Sequence, residues 1–179
     1  YAHRVTDGSG ESLQIVHLDV TPANVLVRRD GRVKLTDFGL ARARLDDAET
    51  TEEAPGRGTP AYMAPEVILK RGADGRSDVF SLGVVLMELL TVSPLYARDE
   101  PLETMKSVLH TDIAEVLEKH PEIDSSLHPL LERALSRAPA GRFSSARAFG
   151  EGLTDQLDAL GGAPNPSDVA TFLRVLSSA

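Results

Sequence analysis

The sequence predicts a mainly α-helical lobe that carries one small β-hairpin near its start. Three observations lead there. At 179 residues with 41% hydrophobic content, the chain can bury the core of one globular domain, or of one large lobe with a tail. From Ala64 onward, apolar residues recur at helical spacing in one segment after another. Upstream of these, two short β-rich runs, Val25-Leu26-Val27 and Val33-Lys34-Leu35-Thr36, are joined by Arg28-Arg29-Asp30-Gly31-Arg32. Asp-Gly between such runs is a strong hairpin signal.

In chain order, residues before His17 read as the tail of a helix, a Gly/Ser loop over positions 7 to 12, and a short apolar approach. The hairpin follows. Between Leu40 and Gly58 periodicity disappears, and Asp46 to Glu53 carries five acids with Thr50 and Thr51 among them, as a solvated surface segment does. Pro65 suits a first helical turn, and Ser77 and Asp78 are placed to cap SDVFSLGVVLMELL, a helix apolar all round that belongs at the centre of the lobe. Further helices are predicted to open at Pro101, at His128-Pro129 (PLLERALSR) and at Ser144-Ser145. Gly161 to Pro166 reads as a linker, with Ser167 capping a last helix over Asp168 to Ser177. The expected division is therefore a lobe over 1–160, a linker over 161–166 and a C-terminal helix over 167–179.

Charge and composition exclude several function classes. A net charge of −8 without clustered Lys and Arg disfavours a nucleic-acid or anionic-membrane surface. The longest apolar stretch, Val79 to Val92, is interrupted by Ser81 and Glu88 and is too short to span a bilayer. No signal-peptide pattern is visible at the start, and the absence of cysteine fits a cytoplasmic protein.

The chemistry concentrates around the hairpin. Asp19 and Asn24 lie five residues apart in HLDVTPANVLV, and Asp37 follows the second β run. A proton acceptor and two metal-binding side chains around one point are what moving a phosphoryl group requires.

Residues 1 to about 160 resemble the C-terminal lobe of a eukaryotic-like Ser/Thr protein kinase of the bacterial type. His17-Leu18-Asp19 stands where that family has HRD, Asn24 at its catalytic-loop Asn, Asp37-Phe38-Gly39 as DFG, and TPAYMAPE, Thr59 to Glu66, at the end of its activation segment. The resemblance implies that Asp19 accepts or orients the proton of an attacking hydroxyl, and that Asn24 and Asp37 hold Mg²⁺ against the phosphates of ATP. It puts Leu26 and Thr36 at the nucleotide; for Leu26, plain core packing stands as an equal reading. It gives Thr59 a bond to the catalytic Asp that marks Ser/Thr rather than Tyr acceptors. Glu66 and Arg142 would form a buried bidentate ion pair, Asp78 would accept backbone N–H bonds from the His17 region, and His17 would pack against Phe38 as a strut.

Three departures limit what the resemblance carries over. Thr21 occupies the catalytic-loop Lys position, so no loop cation steadies the transferred phosphate there, a loss on the order of a hundred- to thousand-fold in rate if nothing compensates. Leu18 replaces the Arg that clamps a phosphorylated activation loop. Nothing ahead of His17 supplies a Gly-rich loop, a β3 Lys or its Glu partner, so the family's N-lobe is expected upstream. The resulting expectation is a partial Ser/Thr kinase domain, inactive by itself, whose complete form acts on a protein substrate. The alternative is a non-catalytic interaction module built on a degenerate lobe.

Overall fold

A computed structural model describes residues 3, 6, 8–10, 15–38 and 60–177. Thr59, Gly39, the acidic run with Thr50 and Thr51, and most of the expected helix tail at the start lie outside the described residues. Two antiparallel strands, β1 (Val25–Val27) and β2 (Val33–Leu35), pair with Val25 opposite Leu35 and Val27 opposite Val33. Among the described residues seven α-helices follow: α1 (Pro65–Ile68), α2 (Gly75–Thr91), α3 (Pro101–His110), α4 (Ile113–Glu118), α5 (His128–Ala134), α6 (Ala146–Ala159) and α7 (Pro166–Leu176). Among the described residues the fold is thus mainly α with one hairpin, as the sequence predicts.

The hairpin turns through three residues. Gly31 donates to the Arg28 carbonyl at 2.8 Å and Arg28 donates to the Arg32 carbonyl at 2.9 Å, with Gly31 at φ 78°. Such a loop needs a residue in the left-handed region, where glycine has no Cβ to clash.

The lobe is organised around α2, which packs on α5 and α6. Phe80, Val84 and Met87 of α2 join Tyr96, Val108, Leu117, Leu131 and Leu135 in one cluster, with the Phe80 and Tyr96 rings stacked 6.0 Å apart. On its other side Val79 meets Leu130, Ala134, Phe143 and Phe149. Gly83 lets α2 approach α5: a methyl group there would lie 3.1 Å from the side chains of Ala134 and Leu135. Central placement holds for most of α2, but Leu89 is 72% exposed and Val92, just past its end, is 90% exposed, while Leu90 still packs on the core.

Other boundaries differ from the sequence reading for identifiable reasons. Asp74, rather than Ser77 or Asp78, caps α2 by accepting the Arg76 N–H at 2.8 Å, which leaves both later side chains inside the first turn and turned inward. α5 stops at Ala134 instead of continuing through LSR: the Ser136 N–H turns to the Arg133 carbonyl at 3.3 Å, three residues back, and the Ser136 and Arg137 carbonyls beyond the helix are taken by Arg142. Six-residue α4, capped by Asp112 and buried only at Ile113 and Leu117, is too short to show periodicity. Asn165, not Ser167, caps α7, through a reciprocal box with Asp168. No described helix is long and apolar enough to cross a membrane.

Candidate functional site

The loop that carries Asp19 and Asn24 is held from behind. Val16, His17, Leu18, Val20 and Thr21 are all buried. Asp78, buried in the first turn of α2, accepts the His17 N–H at 2.8 Å on Oδ2 and the Leu18 N–H at 2.9 Å on Oδ1. These charge-assisted bonds secure Leu18 at φ 60°, a conformation that costs a residue with a Cβ about 1–2 kcal/mol. The same Asp78 Oδ2 lies 2.7 Å from Nε2 of His3, a partner that nothing in the sequence pattern signals.

His17 is a strut on three sides. Its Nε2 lies 2.9 Å from the Thr36 carbonyl, its Nδ1 accepts the Asp19 N–H at 3.3 Å, and its ring meets Phe38 edge-on at 4.5 Å. An imidazole with the proton on Nε2 satisfies both hydrogen bonds at once. The loop is thereby tied to the end of β2.

Asn24 and Asp19 form a unit. The Asn24 amide Nδ2 donates to the Asp19 carbonyl at 2.8 Å and to its carboxylate Oδ2 at 2.9 Å. That orients the Asp19 carboxylate, and it turns the Asn24 carboxamide so that its oxygen has no hydrogen bond among the described residues. Thr36 closes the hairpin base, donating to the Asn24 carbonyl from its backbone at 2.9 Å and from its hydroxyl at 3.1 Å. Asp37 comes next, exposed, without a hydrogen-bond or ion-pair partner among the described residues and at φ 68°. Two of the four non-glycine residues with positive φ among the described residues, Leu18 and Asp37, therefore bracket this site, and stored backbone strain tends to concentrate at functional regions.

A carboxamide oxygen and an open carboxylate at the two ends of one hairpin suit a hard cation that takes most of its ligands from phosphate and water. No group of three or more His, Cys, Asp or Glu side chains fit to hold a metal occurs among the described residues. Leu26, 52% exposed, and Phe38, 41% exposed, lie open beside it. Thr21 is buried and brings no cation. A groove of about 720 Å³ lined by Arg98, Glu103, Lys106 and His110 lies along α3 and includes none of these residues.

A second polar centre braces the lobe. Arg142 pairs with Glu66 through two 2.8 Å bonds, and its remaining donors go to the carbonyls of Arg76, Ser136 and Arg137. All five guanidinium N–H groups are satisfied. Ser77 adds a 2.6 Å bond to Glu66. Burial pushes the Glu66 carboxyl up, but hydrogen bonds from Arg142 and Ser77 and the Arg142 charge outweigh it and hold the group below the usual carboxylate range. Nearby, Tyr62 donates to Glu88 at 2.6 Å, and Leu95 N–H donates to the other Glu88 oxygen at 3.1 Å. Burial, then the Glu88 bond and charge, pushes the Tyr62 hydroxyl well above its ordinary value. Sequence reasoning saw Glu88 only as an interruption of an apolar run; a lone acid in such a run was the available signal of a half-buried hydrogen-bond partner.

A family model described as "Protein kinase domain" matches residues 11–152. The chain belongs to the protein kinase family. It is similar to the tyrosine-protein kinase MasK of Myxococcus xanthus, with 33% identity over 86% of this chain and 24% of that protein. It is also similar to the serine/threonine-protein kinases PknB of Mycobacterium leprae, with 36% identity over 74% of this chain and 21% of that protein, and of Mycolicibacterium smegmatis, with 35% identity over 74% and 21%. The chain thus spans a fifth to a quarter of the length of these relatives.

Proposed function

We propose that the chain is the C-terminal lobe of a Ser/Thr protein kinase that, completed by an N-lobe, transfers the γ-phosphoryl group of ATP to a protein hydroxyl. The observation that carries this reading is the locked Asn24–Asp19 pair, which orients one carboxylate and leaves the Asn24 oxygen and the Asp37 carboxylate open at the hairpin base. Asp19 then orients the acceptor Ser or Thr hydroxyl and takes up its proton. Asn24 and Asp37 would hold Mg²⁺, which would supply neutralisation of the charge on the phosphates. Leu26 and Thr36 lie on the nucleotide side, Thr21 stands in the loop without a cation, and Thr59 sets the acceptor preference. Residues 1–160 form the lobe; a cytoplasmic setting accords with the composition.

A second reading, a non-catalytic interaction module, is favoured by the buried Leu18 and Thr21, which give the loop no cation. One experiment separates the two. The chain, expressed in frame with the coding sequence upstream of it, is assayed for phosphoryl transfer to protein, with identification of the phosphorylated residue. Transfer to Ser or Thr that falls by about 10²–10⁴ in Asp19→Asn supports catalysis. Activity unchanged in that variant, or no transfer with an N-lobe present, overturns it.

A further inference from the structure

The hairpin has little behind it. A two-stranded hairpin of three-residue strands is at best marginally stable in water unless another element packs on it. Leu26, Val27 and Val33 are each about half exposed or more, so the α2 core does not provide that support. Gly31 alone of the turn residues is buried, and what covers it is α7. A methyl group at Gly31 would fall 1.7 Å from the Pro166 carbonyl oxygen and 3.0 Å from the Ala170 amide nitrogen. Ala170 is the one buried residue of α7, a small side chain where close approach is needed.

The start of α7 is built to hold that position. Asn165 accepts N–H bonds from Ser167 at 2.8 Å and from Asp168 at 3.2 Å, and Asp168 accepts the Asn165 N–H at 2.8 Å. The chain reaches this cap through Gly161 and Gly162 at φ 121° and 107°. We propose that α7 is a strap: seated on the Gly31 turn, it keeps the hairpin ordered and so fixes Asn24 and Asp37 at the hairpin base. Displacing α7 loosens that pair, which makes the segment after the lobe a control point for the site. The meaning of Asn24 and Asp37 rests on the kinase reading; the mechanical coupling does not.

The test is amide hydrogen exchange on the full 179-residue chain without metal or nucleotide, in wild type, Ala170→Glu and the double variant Ala170→Glu/Leu173→Asp. The strap predicts that peptides covering 25–36 and 166–176 lose protection together, the hairpin exchanging at least about tenfold faster, while α2 is unchanged. An α7 that loosens over an unchanged hairpin overturns the proposal, as does a double variant in which α7 stays protected. Phe172→Ser, on the exposed side of α7, is expected to leave both segments as they were; equal loosening there would mean general helix fraying and not a seat on Gly31. Because no ligand is present, failure here leaves the phosphoryl-transfer assay unaffected, and failure of that assay leaves this result standing.

Discussion

The loop and hairpin of residues 15–38 and the helical body built on α2 solve opposite problems. The body satisfies nearly everything it buries, with His128 Nε2 the exception among the described residues: every donor of Arg142 is paired, and Phe80, Tyr96 and Leu131 are almost wholly enclosed. The hairpin exposes most of its side chains, contains Asp37 in a strained conformation and leaves polar oxygens open. On the kinase reading proposed above, open groups are what phosphate and metal would need, and groups left open in this way add little stability of their own. The two regions meet at Asp78, one carboxylate in the first turn of α2 that holds the backbone of the loop. Stability is supplied on one side of that carboxylate and chemistry is displayed on the other.

The largest expected effect lies in the body. Arg142→Ala strands the buried Glu66 carboxylate and is expected to cost roughly 3–5 kcal/mol in urea unfolding, because the remaining charge stays buried without a partner. A loss below about 1 kcal/mol would place the brace outside the stabilising half. The same pair sets a pH dependence. The Glu66 carboxyl is lower in the folded state than its unfolded value near 4.5, so its contribution is fully present above that pH and is lost as pH falls through the folded value. Stability followed from pH 6 to 3 is expected to drop more steeply in wild type than in Glu66→Gln; parallel curves would contradict the assignment.

Smaller effects probe the outer edges of both regions. Val92 ends α2 in the left-handed region at φ 52° with its side chain 90% exposed, so it has strain and no packing to offset it. Val92→Gly is expected to stabilise the chain by about 1 kcal/mol, read as a raised melting temperature, and a destabilised variant would show that this corner packs after all. The smallest expected shift belongs to the hairpin: with ATP and Mg²⁺ the chain by itself is expected to melt cooperatively and unchanged, since Leu26, Asp37 and Phe38 lie open to solvent. A metal-dependent rise that disappears in Asp37→Ala would mean that the half-site binds nucleotide without a second lobe.

The contrast also accounts for what was legible in the sequence. The hairpin, the apolar helix at the centre, and the links from Asp78 to the His17 backbone, Glu66 to Arg142 and His17 to Phe38 were readable, because each rests on a local turn signal, a long periodic run or a motif of fixed spacing. What escaped depends on tertiary partners. Asp74 took the cap because Ser77 and Asp78 were drawn inward by Glu66 and the loop, a competition invisible in a four-residue window. The seat of α7 on Gly31 joins positions more than 130 residues apart through backbone atoms, which no side-chain pattern encodes. His3 reached Asp78 in the same way, without a motif.

The most direct measurement of the central claim, that the body positions the loop through Asp78, is residue-resolved amide exchange at His17 and Leu18. Wild type is expected to protect both nearly as well as α2, and Asp78→Ala to release them by orders of magnitude while α2 keeps most of its protection. If His17 and Leu18 exchange in wild type as fast as the exposed turn at Arg29 and Asp30, the carboxylate does not hold the loop and the coupling between the two halves is contradicted.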